Sequence, residues 1–174
     1  MVSLKHRLGI TALVSAIEDT GLVLWLALLH VNPAITGALL SLITLFTFLT
    51  SEHLITQRDA AGRLTLHSIL EVLGFTSLEV VDWAVWLLLI PVNGAAAAGY
   101  FLSSFFLEHQ LTYNTKRGLP FISIKDSNDV AKGVIVETVS EFVGAALWIA
   151  LGPSAGIIPL VIGSNIEHFV ASGQ

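Results

Sequence analysis

Nine Glu and His residues of this 174-residue chain recur in a pattern that could bind metal. The dipeptide Glu-His occurs three times, as Glu52-His53, Glu108-His109 and Glu167-His168. Random placement of the chain's 8 Glu and 6 His residues would give about 0.3 such pairs. A second motif alternates with it: Ser15-x-x-Glu18, Thr76-x-x-Glu79 and Thr138-x-x-Glu141, each followed seven residues later by Trp25, Trp86 or Trp148. Carboxylate oxygens with imidazole nitrogens suit iron, manganese or zinc. The absence of Cys and the single Met argue against Cu(I). Six ionised carboxylates held together without counter-charge would repel one another and take up protons, and bound divalent ions would relieve that. The expected metal ligands are Glu18, Glu52, His53, Glu79, Glu108, His109, Glu141, Glu167 and His168, around a di- or trinuclear site with iron favoured.

The elements that must carry these residues read as transmembrane helices. Hydrophobic residues make up 54% of the chain and charged residues 12%, with mean hydropathy +0.80. A soluble domain would carry roughly 25% charge to wet its surface. Six apolar stretches of spanning length lie at about 8–30, 34–56, 66–90, 94–114, 130–152 and 155–172. Three breaks are tight, at His30–Pro33, Pro91–Gly94 and Gly152–Ser154, where Pro and Gly stop the helix. Two are longer and polar, Gln57–Thr65 and Thr115–Asp129. All Lys and Arg residues (Lys5, Arg7, Arg58, Arg63, Lys116, Arg117, Lys125 and Lys132) fall on one side of this arrangement. Cytoplasmic loops collect basic residues, which places both termini and both long loops in the cytoplasm and the tight turns outside. The stretch after Met1–Arg7 reads as a retained first helix of a multi-pass cell-membrane protein, not a cleaved leader.

The two motifs alternate helix by helix. The fold class expected is therefore an all-α integral membrane bundle of six transmembrane helices. It is built as three repeated two-helix hairpins (8–56, 66–114 and 130–174) about a pseudo-threefold axis, in a single membrane domain, 1–174. Counted from the outer turns, Glu79, Glu108, Glu141 and Glu167 lie roughly 18–25 Å down, and both arms of the first hairpin are longer, so that Glu18 and Glu52 still meet in the same layer of the cytoplasmic half. The ligand set resembles that of ferritin-like di-iron proteins, where Glu joins Glu-x-x-His on inward helix faces. Here Glu and His are adjacent, about 100° apart around the helix, so the His can sit between helices.

Other residues carry smaller expectations. The repeated Trp residues read as an interfacial aromatic belt. Ser15, Thr76 and Thr138 read as small packing residues. Asp19 and Asp82 are candidate extra ligands, His67 and Glu71 a local pair, and His6 and His30 solvated. Glu71 and Glu137 have no counterpart in the first hairpin. The net charge of −5 provides no basic footprint for nucleic acid. The partners expected are the lipid bilayer and a lipid-soluble small molecule. A redox metalloprotein acting on such a molecule, a quinone or an acyl chain, is the first functional expectation. A divalent-cation or proton transporter using the same acidic layer, or an accessory subunit of a membrane complex, is the alternative.

Overall fold

The computed structural model describes residues 3–31, 35–116 and 127–171. They form six helices: α1 (Leu4–Val31), α2 (Ile35–Ala61), α3 (Leu66–Leu89), α4 (Gly94–Lys116), α5 (Ser127–Leu151) and α6 (Pro153–Ala171). Among the described residues four are long and apolar enough to cross a membrane: α1 over Leu4–Leu29, α2 over Thr36–Asp59, α3 over Leu66–Leu89 and α5 over Val134–Leu151. The apolar character of α4 is diluted by its Glu108-His109-Gln110 run.

Local signals set the helix ends. The α2 helix runs past the apolar stretch through Arg58 and stops at Gly62, whose φ of 72° only Gly adopts without strain. Thr65 and Ser68 form a reciprocal capping box at the start of α3. The Asn93 side chain accepts from the Ala96 amide at 3.0 Å and caps α4. Gly152, φ 82°, turns the chain between α5 and α6 while its amide still donates to Trp148 O.

Each helix packs against the next in chain order, and α6 packs back on α1, closing a ring. A ring of six helices leaves a wide centre, and aromatic side chains fill it. Trp83 meets Trp25, Trp86, Phe101 and Phe105 edge-on at centroid distances of 5.8, 5.6, 5.4 and 5.1 Å, and Phe101 stacks on Phe105 at 3.9 Å. Trp25, Trp86 and Trp148 belong to this core and are buried. The expectation of an interfacial belt fails for these three residues. Seven residues is almost two helical turns, so each Trp lies on the same inward face as the Glu that precedes it.

The surface is the reverse of a soluble protein's. Leu66, Leu88, Ile43 and Leu107 are 74, 71, 61 and 60% exposed, whereas Glu18, Glu52, Glu79, Glu108 and Glu141 are all buried. Carboxylates inside and leucines outside are what a lipid solvent selects. Small residues let helices approach closely. A Cβ on Gly21 would lie 2.5 Å from Phe48 Cβ, and one on Gly163 would lie 2.7 Å from Ser140 O. At the end of the bundle that carries Lys and Arg, Arg7 donates to Phe169 O at 3.0 Å and lies over the Phe169 ring. His6 Nε2 stands 2.7 Å from Asp59, so His6 is paired across α1 and α2 instead of simply solvated. The side chain of His30 lies outside the described residues.

Candidate metal centre

Every odd-numbered helix buries its Ser/Thr-x-x-Glu motif: Ser15 with Glu18, Thr76 with Glu79 and Thr138 with Glu141. The hydroxyls do not serve the carboxylate one turn on. Thr76 Oγ1 lies 3.5 Å from His53, and the Ser15 and Thr138 hydroxyls make no hydrogen bond. On the even helices Glu52, Glu108, His109 and His168 are buried, and His53 is 13% exposed. The fold thus brings eight of the nine expected ligands into the interior. The ninth, Glu167, lies on α6 with its side chain outside the described residues, as does that of Glu137 on α5.

The contacts follow a cyclic rule. Each His reaches from its own hairpin to the repeat Glu of the next one. His53 on α2 faces Glu79 on α3, with Nε2 3.7 Å from Oε2. His109 on α4 faces Glu141 on α5 in the same way at 3.6 Å. His168 on α6 reaches Glu18 on α1 at 2.7 Å. Each His also approaches a Glu of an even helix: Glu52 at 3.1 Å from His53, Glu108 at 3.6 Å from His109, and Glu52 at 3.9 Å from His168. Glu18, Glu52 and Glu108 are close enough to Glu79 to act on it electrostatically, so these four carboxyl groups share one layer.

Two of the three His residues have their tautomer set by backbone. His53 Nδ1 lies 2.9 Å from Leu49 O, and His109 Nδ1 lies 2.6 Å from Phe105 O. A carbonyl only accepts, so Nδ1 carries a proton, and in the neutral imidazole Nε2 then carries the lone pair. That lone pair points at a carboxylate oxygen at 3.6–3.7 Å in both hairpins. This separation is too long for a hydrogen bond, and two acceptors facing each other repel unless a proton or a cation comes between them. Two ligand atoms, each about 2.1 Å from one ion, stand roughly 3.4 Å apart at a tetrahedral angle, roughly 3.6 Å at a trigonal one and about 4.2 Å in line. A His that donates its other ring N–H to a carbonyl is the usual support of a metal-ligating imidazole.

The third position differs. Ser164, four residues before His168, occupies the place held by Leu49 and Phe105 in the other hairpins. Its hydroxyl donates to Glu18 Oε2 at 2.8 Å, beside His168 Nε2 at 2.7 Å. Glu18 is therefore gripped by hydrogen bonds, where Glu79 and Glu141 face lone pairs. Ser164 was missed in the sequence, although a Ser replacing Leu and Phe at a repeat position was a legible signal. Also missed was Thr56, which donates to Glu52 Oε1 at 2.7 Å.

Of the candidate extra ligands, Asp19 is buried beside Glu18 and His168. Asp82 instead accepts a 2.6 Å hydrogen bond from Tyr100. His67 and Glu71 form the expected local pair at 3.2 Å, with His67 fully at the surface. Among the described residues, no three His, Asp or Glu side chains converge tightly enough to enclose one ion, so the arrangement is pairwise. Comparison with protein-family models, with curated proteins and with solved structures finds no match to this chain.

Proposed function

We propose that this chain is an integral membrane metalloprotein whose buried Glu/His layer holds a dinuclear site, iron favoured, for redox chemistry on a lipid-soluble substrate. All six helices cross the bilayer as three hairpins about a pseudo-threefold axis, with both termini cytoplasmic. The observation that carries this reading is the pair of imidazole lone pairs, on His53 and His109, each aimed at a carboxylate across a hairpin boundary. His53 Nε2 and Glu79 would hold one ion. His109 Nε2 and Glu141 would hold the other. The third repeat position is closed by Ser164 and His168 on Glu18, which favours two ions over three. Hard oxygen and imidazole donors suit iron, with manganese and zinc next. When bound, the metal supplies one-electron exchange or Lewis acidity in a dry site. The protein orients the imidazoles through Leu49 O and Phe105 O and excludes water with the aromatic core outward of the layer. That core also disfavours a transporter, since Trp25, Trp83, Trp86, Phe101 and Phe105 occupy the path outward. Metal analysis of the purified protein, with its absorption spectrum, tests the reading. About two ions per chain are expected, lost on treatment with a chelator. Protein purified without chelator that contains no stoichiometric metal overturns it.

A further inference from the structure

The three places where one hairpin meets the next are not equivalent. Where α6 closes on α1, three positions that are apolar elsewhere in the repeat carry oxygen. Asp19 stands where the other hairpins have Val80 and Phe142, Thr11 where they have Val72 and Val134, and Ser164 where they have Leu49 and Phe105. All three polar side chains are buried. Ser164 is explained by its hydrogen bond to Glu18. Asp19 is not explained in this way: its Oδ1 is buried and makes no hydrogen bond.

The turn of α1 before Asp19 supplies a second oxygen in the same condition. At about 100° per residue, Ser15 lies between Glu18 and Asp19 around the helix, one turn before both. Side chains on a helix lean toward the preceding turn, so both carboxyl groups lean over Ser15. Ser15 is 0% exposed, and its hydroxyl donates to neither of them. A buried hydroxyl beside a buried carboxyl oxygen, both without partners, requires an occupant that engages the two together. A cation does so, since each oxygen offers it a lone pair. A water would satisfy the same atoms and leave two adjacent carboxyl groups without counter-charge. His168, the cationic candidate on α6, is already engaged with Glu18 at 2.7 Å and faces Glu52 at 3.9 Å. The donors that remain are oxygens, which select a hard ion over iron or zinc. Calcium takes about six to eight oxygens and magnesium keeps several waters, more than the buried surroundings of Ser15 provide.

We propose that Ser15 and Asp19, beside Glu18 on α1, hold a monovalent hard cation of the sodium class where α6 closes the ring. The ion neutralises the paired carboxyl groups and takes the place of the Glu–His ion of the other two hairpin boundaries. The site stands apart from the redox reading, because it uses neither His53 nor His109.

Thermal unfolding of the purified protein in detergent, followed by tryptophan emission, tests it. Sodium chloride is titrated against choline chloride at constant ionic strength, and transition-metal content is measured on every sample. Expected is a saturable rise in the melting temperature of wild type, roughly 5–10 °C when sodium reaches about a hundred times its dissociation constant. Ser15→Ala and Asp19→Val should lose the rise. Ser15→Thr, which installs the residue that Thr76 and Thr138 supply at the equivalent places, should keep it. Each variant is compared with itself in choline, so a variant of lower stability remains informative. Equal melting temperatures in sodium and choline for wild type overturn the proposal. So does a sodium-dependent rise that survives both Ser15→Ala and Asp19→Val, or a rise given by magnesium or calcium and not by sodium. A sodium effect that depends on Ser15 and Asp19 in protein without transition metal supports this site and removes the redox reading alone.

Discussion

Replacing Glu141 by Gln separates an ion-holding layer from a protonated one by the sign of a stability change. His109 donates from Nδ1 to Phe105 O at 2.6 Å, so its Nε2 presents a lone pair to Glu141 Oε2, 3.6 Å away. If an ion lies between them, the amide cannot replace the carboxylate and the ion is lost. An ion present at a hundred times its dissociation constant contributes about 2.7 kcal/mol to the folded state. For a chain of this size each kcal/mol shifts the melting temperature by about 2–4 °C, so a fall of roughly 5–10 °C is expected. If no ion lies there, the Gln side chain donates an N–H to Nε2 and turns two facing acceptors into a hydrogen bond worth about 1 kcal/mol. The melting temperature then rises by roughly 2–4 °C. Glu79→Gln should behave like Glu141→Gln, because His53 is held in the same way by Leu49 O. Glu18→Gln should not, since the Gln carbonyl can accept from both Ser164 and His168 as Oε2 does. The assay is thermal unfolding in detergent followed by tryptophan emission, paired with metal analysis. A Glu141→Gln variant with wild-type metal and an unchanged or higher melting temperature refutes the reasoning. So does a Glu18→Gln variant that loses as much metal as Glu141→Gln.

Two further outcomes test the frame that holds the site. A reporter inserted at Asn93 should be external and one fused after Gln174 cytoplasmic, because every Lys and Arg falls in the N-terminal segment or in or next to the two long breaks of the sequence and none in the tight turns; a cytoplasmic Asn93 reporter reverses the topology. Gly163→Val places a Cβ 2.7 Å from a backbone oxygen that cannot rotate away, so α5 and α6 must separate. A loss of about 1–3 kcal/mol is expected, and a variant as stable as wild type in thermal unfolding shows that the contact yields.

The burial of the carboxylate layer was legible because Glu18, Glu79 and Glu141 repeat with fixed neighbours, and repetition constrains face and depth together. The Trp residues show where that reading stopped. Their depth suggested an interface, while their seven-residue spacing from Glu already placed them on the inward face, and face decides burial. Which His meets which Glu was not legible, since it depends on the order of helices around the ring. Once α6 closes on α1, each His is bound to reach forward into the next hairpin. The Asp82–Tyr100 pair escaped for a similar reason. The two residues lie 18 positions apart, on either side of a turn, and only the hairpin brings them together. Helix ends were misjudged where polarity was taken as a stop: Gln57 to Ala61 continue α2 because nothing there breaks a helix before Gly62.

Ring closure by α6 on α1 also sets a problem of timing. Glu18 finds its hydrogen-bond partners 146 and 150 residues later in the chain, at Ser164 and His168. A ribosome adding about 5–20 residues per second makes the first helix wait roughly 8–30 s for them. During that interval Glu18 and Asp19 are charged or protonated groups on a hairpin with no third partner. Early hairpins of such a chain are candidates for retention at the insertion machinery or for capture by a chaperone. The last nineteen-residue helix, α6, is the part whose arrival releases them.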